Sequence, residues 1–283
     1  MSPTPRDDAR PPLRIRNLDV AYHSGERVVR AVRGVDLDVP GRGMTALVGE
    51  SGSGKSTLVM AILGLLPRGT HISGDILLGG ESLAGLDDDA FRAYRWKRIA
   101  LVPQGAMNAF TPVLTIGHHI RETLEFHLRM TRRDAVRRTE ELLEEAGLSG
   151  NLAGRYPHEL SGGQKQRAAI ALALACDPDI LLADEPTTAL DVVVQQEIMD
   201  AIAGLAAGRS PHGARPMGVL LVTHDLPLAL SRADRVNVMY RGQIVERGAP
   251  QEILQTPRHG HTRALLDGSL AAPPDHPAGE ASR

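Results

Sequence analysis

The run Gly49-Glu50-Ser51-Gly52-Ser53-Gly54-Lys55-Ser56-Thr57 constrains this chain more than any other stretch. It fits the phosphate-binding pattern G-x-x-x-x-G-K-[ST] without a mismatch. Its flanks fit too: Met44 to Val48 reads as a short buried strand, and Thr57 to Leu65 as an apolar-rich helix. Strand, glycine-rich loop and helix in that order make a phosphate cradle. Gly49, Gly52 and Gly54 let the backbone curl until several N–H groups point at one phosphate chain. The helix N-terminus adds partial positive charge at the same spot. In such a loop Lys55 reaches the β- and γ-phosphates of a nucleotide and the Ser56 hydroxyl ligates Mg²⁺. Ser51 and Thr57 complete the ATP-binding positions. A Gly/Ser-rich turn before an ordinary helix is the plain alternative, and the strand and helix on either side weigh against it.

A chain of 283 residues suits one large domain or two small ones. Its 42% hydrophobic and 23% charged residues are those of a globular protein, and a net charge of −2 gives no general affinity for polyanions. Arg132-Arg133 and Arg137-Arg138 are the densest basic spots, but Glu140, Glu141, Glu144 and Glu145 follow at once, so the stretch reads as a solvated helix face rather than a nucleic-acid site. The one cysteine, Cys176, ends an apolar run and reads as a buried small hydrophobe; one thiol makes no disulfide, zinc site or iron–sulfur cluster within a chain. No apolar run approaches a membrane span, and Met1 to Pro12 lacks an apolar signal core, so the expected place is the cytosol.

Leu13 to Tyr22 and Val32 to Val39 alternate loosely and predict antiparallel strands beside the nucleotide site. Gly74 to Leu78 reads as an edge strand, Asp87 to Arg95 as helical, and Ile99 to Pro103 as a short strand stopped by proline. Residues 105–159 change character to amphipathic helices, including Ile120 to Leu128 and Arg133 to Ala146. Then the α/β pattern resumes: helix Gln164 to Cys176, strand Asp179 to Ala183, helix Val194 to Ala207, strand Gly218 to Thr223, and a hairpin from Arg235 to Glu246. Residues 1–12 and the Ala/Pro/Gly-rich end after Leu270 read as disordered.

A phosphate loop alone says only that a nucleotide binds. The deciding run is Leu160-Ser161-Gly162-Gly163-Gln164, followed by Lys165-Gln166-Arg167. It is a second helix start suited to phosphate, with Ser161 a good N-cap and glycines that allow close approach. Ile180 to Glu185 is a hydrophobic strand ending in two carboxylates: Asp184 suits Mg²⁺, directly or through water, and Glu185 suits the general base that polarises the attacking water. With these motifs in this order the chain resembles the ATP-binding-cassette (ABC) family, over about Leu13 to Gly248.

The resemblance implies further roles. Thr188-Ala189-Leu190-Asp191 is similar to the family's D-loop, with Asp191 its aspartate. His224 matches the switch histidine that contacts the γ-phosphate, and Gln104 the Q-loop glutamine that touches Mg²⁺ and the water. Tyr22 stands where an aromatic ring stacks on adenine. Ser161, Gly162, Gly163 and Gln164 act in trans, closing over ATP held by a second subunit, identical or paralogous. The implied fold is α/β: a P-loop NTPase (RecA-like) core over residues 13–104 and 160–250, with an antiparallel β subdomain, an inserted α-helical subdomain at 105–159, and a partly disordered extension from 251 to 283.

The implied function is ATP hydrolysis powering a membrane importer. Integral membrane permease subunits are direct partners, a solute-binding protein is an indirect one, and no nucleic acid is involved. The place is peripheral, on the cytoplasmic face of the cell membrane. Asn108 to Gly117 and Tyr156 to Leu160 resemble the oligopeptide/dipeptide/nickel importer subfamily. Its C-terminal Pro-x-His-Pro-Tyr-Thr-Arg-x-Leu segment is partly matched by Pro257 to Leu265, where Gly260-His261 replaces Pro-Tyr. Phe110, Val113, Leu114 and Ile116 form an apolar segment just beyond Gln104, and part of it is expected to meet the permease. The rival readings are an ABC ATPase acting on nucleic acid, which carries two cassettes or a long coiled-coil insertion, and a regulatory module that binds nucleotide without hydrolysis, against which Glu185 and His224 argue.

Overall fold

The structure, a computed structural model, describes residues 12–24, 27–105, 109–209 and 215–268. β1 (Leu13–Ser24), β2 (Arg27–Val39), β4 (His71–Leu78) and β5 (Glu81–Ser82) form an antiparallel sheet in the order β2-β1-β4-β5. β3 (Gly43–Val48), β6 (Ile99–Val102), β7 (Ile180–Asp184), β8 (Gly218–Thr223), β9 (Arg235–Tyr240) and β10 (Gln243–Gly248) form the second sheet, ordered β10-β9-β3-β8-β7-β6. Strands β6, β7, β8, β3 and β9 run parallel, and β10 turns back on β9. A parallel sheet covered on both faces needs near-continuous apolar strands. β7 and β8 meet that need, being buried at every position.

The helices are α1 (Lys55–Ile62), α2 (Asp88–Phe91), α3 (Ile116–Leu128), α4 (Arg132–Glu145), α5 (Gly162–Ala173), α6 (Val192–Ala206), α7 (Leu226–Arg232), α8 (Pro250–Gln255) and α9 (Gly260–Leu266). Thr115, Thr131, Ser161, Asp191 and Asp225 cap α3 to α7, each side chain accepting from the N–H three residues on.

Side chains of a strand alternate between faces, so the parallel sheet separates two apolar clusters. Leu47, Leu182, Leu220 and Val222 pack with Val20, Val35, Leu58 and Ile62 on one face. Ala46, Val48, Leu181, Ala183, Val219 and Leu221 face α5 and α6 on the other. Ile116, Ile120 and Leu124 of α3 and Leu142 and Leu143 of α4 join that second cluster through Ala168 to Ala175. The helical block thus shares its core with the sheet by way of α5, the helix that begins at Ser161. On α4, Arg138 bonds Glu141 at 3.2 Å and Glu145 at 2.8 Å; Glu145 is buried, so it departs from the expected solvated face and its charge is met by Arg138. Cys176 is buried, and desolvation pushes its thiol up to about 11, the state of an inert small hydrophobe.

Several elements depart from the sequence reading. β4 lies between β1 and β5, so it is no edge strand, and it starts at His71. Its apparent break, Gly74, has φ +93° and sits against an irregularity in β1 between Arg16 and Asp19; a Cβ there would lie 2.3 Å from the Asn17 carbonyl oxygen. β2 starts at Arg27 rather than Val32. α3 and α5 start at Ile116 and Gly162, because Thr115 and Ser161 cap them and glycines are tolerated in the first turn. The extension after residue 250 contains α8 and α9, while the expectation for the end after Leu270 and for residues 1–11 lies outside the described residues. Asn108 is outside them as well. Among the described residues no helix is long and apolar enough to cross a membrane.

Candidate active site

Neighbouring strands β6, β7, β8 and β3 end side by side, and each delivers chemistry at its carboxyl end. Gln104 follows β6, Asp184 closes β7 with Glu185 next, His224 follows β8, and residues 49–54 follow β3. Ligand sites of open α/β sheets form at this end.

The phosphate loop is shaped for an anion. Gly54, at φ 108° and ψ 0°, is the N-cap of α1, and no side chain caps that helix. Its first N–H groups are left for a ligand. Both ends of the loop are tight: a Cβ on Gly49 would lie 2.3 Å from the Met239 carbonyl, and one on Gly54 would lie 2.3 Å from that of Ala31. Lys55 is buried and its Nζ donates to the Gly49 carbonyl at 2.7 Å and the Glu50 carbonyl at 2.8 Å. Burial holds its ammonium below the usual lysine range, while Glu185, Asp184 and Glu50 pull the other way. Ser51, Gly52 and Ser56 are exposed at the loop's mouth. The Tyr22 hydroxyl donates to Thr57 Oγ1 at 3.2 Å, which sets the β1 ring against the start of α1.

Glu185 has a left-handed backbone, φ 45°, uncommon for a side chain with a Cβ. Its N–H donates to the Val222 carbonyl at 2.8 Å, tying it to β8. Three side chains meet its carboxylate: Gln104 Nε2 donates to Oε2 at 2.8 Å, Thr188 Oγ1 donates to Oε2 at 3.0 Å, and His224 Nδ1 lies 3.1 Å from Oε1. So Gln104, Glu185 and His224 come together from three strand ends. Thr188 was legible only as part of the D-loop; the usable signal was a hydroxyl three residues after a candidate base. Asp184 is buried, and burial together with the neighbouring Glu185 raises its carboxyl above the usual range, partly offset by Lys55.

The second helix start is a closed capping box. Ser161 Oγ accepts from the Gln164 N–H at 3.2 Å, and Gln164 Oε1 accepts from the Ser161 N–H at 3.0 Å. Gly163 allows close packing: a Cβ would lie 2.5 Å from Val194 Cγ1. Gly162 is exposed near Leu190, and Asp191 caps α6 through the Val194 N–H at 3.0 Å. The apolar segment beyond Gln104, expected to meet the permease in part, divides between core and surface. Phe110 is buried edge-on against His119, centroids 5.3 Å apart, and Ile116 is fully buried in the core, whereas Val113 is 74% exposed. Only the exposed part of that segment is open to a partner.

Among the described residues no group of three His, Cys, Asp or Glu is arranged to hold a metal by itself. Mg²⁺ ordinarily keeps waters and takes its remaining ligands from one or two protein groups and substrate phosphates. The Asp184 carboxylate, whose burial disfavours its charge, and the exposed Ser56 hydroxyl are donor types that fit a nucleotide-borne Mg²⁺.

Comparison with known proteins names the arrangement. The family model described as ABC transporter matches residues 32–188, more than half of the chain. The chain belongs to the ABC transporter family. The oligopeptide transport ATP-binding protein OppD of Lactococcus lactis subsp. cremoris is 38% identical over 263 residues, 92% of this chain and 76% of that protein. OppD of Mycobacterium tuberculosis is 44% identical over 259 residues, 90% of this chain; the chain spans only 41% of that relative's length. Among solved structures, the dimeric post-hydrolysis ATP-binding cassette MJ0796 bound to ADP and Pi superposes with a TM-score of 0.72 at 32% identity, covering 84% of this chain and 98% of that one. This ABC cassette therefore has the P-loop α/β fold of its relatives, with the two sheets and helical block described above.

Proposed function

We propose that this chain binds and hydrolyses Mg²⁺-ATP as one half of a cassette pair, and that the pair powers import of peptides or a related small solute through integral membrane permease subunits. The observation that carries the reading is the Glu185 carboxylate, held at once by Gln104, Thr188 and His224 beside the phosphate loop. The peptide assignment draws on the oligopeptide transport names of the relatives.

The phosphate chain lies in the loop of residues 49–54, against the uncapped start of α1, with Lys55 turning from the loop carbonyls to the β- and γ-phosphates. Ser51, Gly52 and Thr57 line the loop, and Tyr22 offers its ring to adenine. Ser56, Asp184 and Gln104 hold Mg²⁺, which neutralises charge on the phosphates when bound. Glu185 Oε takes a proton from the attacking water. His224, hydrogen-bonded to the other carboxylate oxygen, meets the γ-phosphate. The capped start of α5, Ser161 to Gln164, faces the nucleotide of the second ABC subunit, with Asp191 at the junction between the two. The pair sits at the cytoplasmic face of the membrane, with a solute-binding protein reached through the permease and no role for nucleic acid. Residues 105–159, ending near α5, form the helical subdomain toward the permease.

Two tests separate the parts of this reading. In a Glu185→Gln background ATP should produce a dimer visible by light scattering, and adding Ser161→Arg should abolish it while monomer ATP binding persists. If the purified protein neither turns over ATP nor dimerises with it, in the presence of any paralogous partner, the ATPase reading falls. Val113→Glu, on the exposed part of the Q-loop segment, should lower solute uptake in cells several-fold and leave basal ATPase of the isolated subunit intact. Undiminished uptake would remove this segment from the permease contact.

A further inference from the structure

The phosphate loop is buttressed from behind by the β9–β10 turn. Arg241 and Gly242 make that turn, both with positive φ, 48° and 84°. The Gly242 N–H donates to the Ser53 carbonyl at 2.8 Å, and the Gly242 carbonyl accepts from the Arg33 N–H at 2.8 Å. One residue before the turn is Tyr240; before that, Met239 presents its carbonyl to Gly49. Tyr240 thus stands between two backbone contacts that shape the loop.

The ring of Tyr240 is held from the other side by α9. It stacks on the imidazole of His261 with centroids 4.1 Å apart and planes 29° apart, and lies 6.2 Å from His259. The segment carrying His261 is itself tied down. Glu246 of β10 accepts from the Arg258 N–H at 2.7 Å and the His259 N–H at 3.0 Å. The His261 N–H donates to His259 Nδ1 at 3.1 Å, and Arg263 donates to the carbonyls of Pro257 and Arg258. His261 and Thr262 are buried. A continuous line of contacts therefore runs from α9 through Tyr240 and the turn to Ser53.

We propose that His261 is a positioning residue for the nucleotide: its ring fixes Tyr240, Tyr240 fixes the Arg241–Gly242 turn, and the turn holds the phosphate loop through Ser53. The inference rests on the reading that this loop binds ATP. The ring is the working part. His261 Nε2 is buried without a hydrogen-bond partner among the described residues, so an apolar ring of similar shape serves as well and removes an orphaned polar atom. The same position explains why a segment after the last strand is ordered onto the hairpin instead of trailing from it.

The test uses the full chain as wild type, His261→Ala and His261→Phe, with Mg²⁺-ATP titrated by fluorescence, turnover followed by phosphate release, and amide exchange read over residues 49–58. An aromatic stack of this kind corresponds to about a three- to tenfold change in an equilibrium constant. His261→Ala should therefore weaken ATP binding by about that factor, with turnover at saturating ATP retained and exchange in the loop faster. His261→Phe should behave as wild type. Tyr240→Leu removes the stack from the other side and takes the place of the alanine variant should that fail to fold. Wild-type affinity and loop exchange in the alanine or leucine variant, or a lowered melting temperature with affinity unchanged, would overturn the positioning role while the ATP reading stands. Absence of ATP binding by the wild type would overturn both.

Discussion

Glu185→Gln should lower ATP turnover by about 10²–10⁴-fold, the usual contribution of a general base, and leave ATP affinity in place. The geometry explains why the substitution is clean. Glu185 Oε2 accepts from both Gln104 and Thr188, a role the amide oxygen of glutamine can take over. The amide nitrogen then faces His224 Nδ1, which donates to the wild-type carboxylate and accepts from the amide once the neutral ring carries its proton on Nε2 instead. Shape and partners persist while the capacity to take a proton is gone. Phosphate release and nucleotide titration on the same preparation decide it: near-normal turnover would take proton abstraction away from Glu185.

Lys55→Ala should cut ATP affinity by about 100-fold or more, since two charge-assisted bonds to phosphate are lost together. The change also strips two donors from the Gly49 and Glu50 carbonyls and removes the cation that offsets the raised Asp184 carboxyl. A melting curve without nucleotide separates loosening of the loop from loss of phosphate contact. Unchanged affinity would contradict the assignment of residues 49–57 to the phosphate chain.

Both residues stand out in the sequence alone, because the patterns that single them out are short and local. The phosphate loop and the strand ending in Asp184-Glu185 each lie in one stretch of sequence between easily read neighbours. What stayed hidden depends on distant pairing. Gly74 looked like the start of a strand because its reason for being glycine is the Asn17 carbonyl on another strand. Phe110 and Val113 looked alike in an apolar run, and only packing against His119 sends one inward and leaves the other in solvent. Thr188 escaped notice as a partner of Glu185 because the left-handed turn at Glu185 brings the two together. The C-terminal segment carries only a partial pattern in sequence, and its contact with Tyr240 spans the hairpin.

The strand order has a consequence for how the protein is made. β3, which launches the phosphate loop, finds its neighbours in β8 and β9, with Gly43 opposite Gly218 and Thr45 opposite Arg235. A ribosome delivers the loop long before it delivers either flank, and pairings this remote in sequence close slowly. Until β8 has emerged, the apolar residues of β3 have no sheet to enter, and the nascent chain carries them exposed. A chain that stalls or is cleaved ahead of β8 would therefore hold the complete phosphate-loop motif yet be a client for chaperones rather than a nucleotide binder.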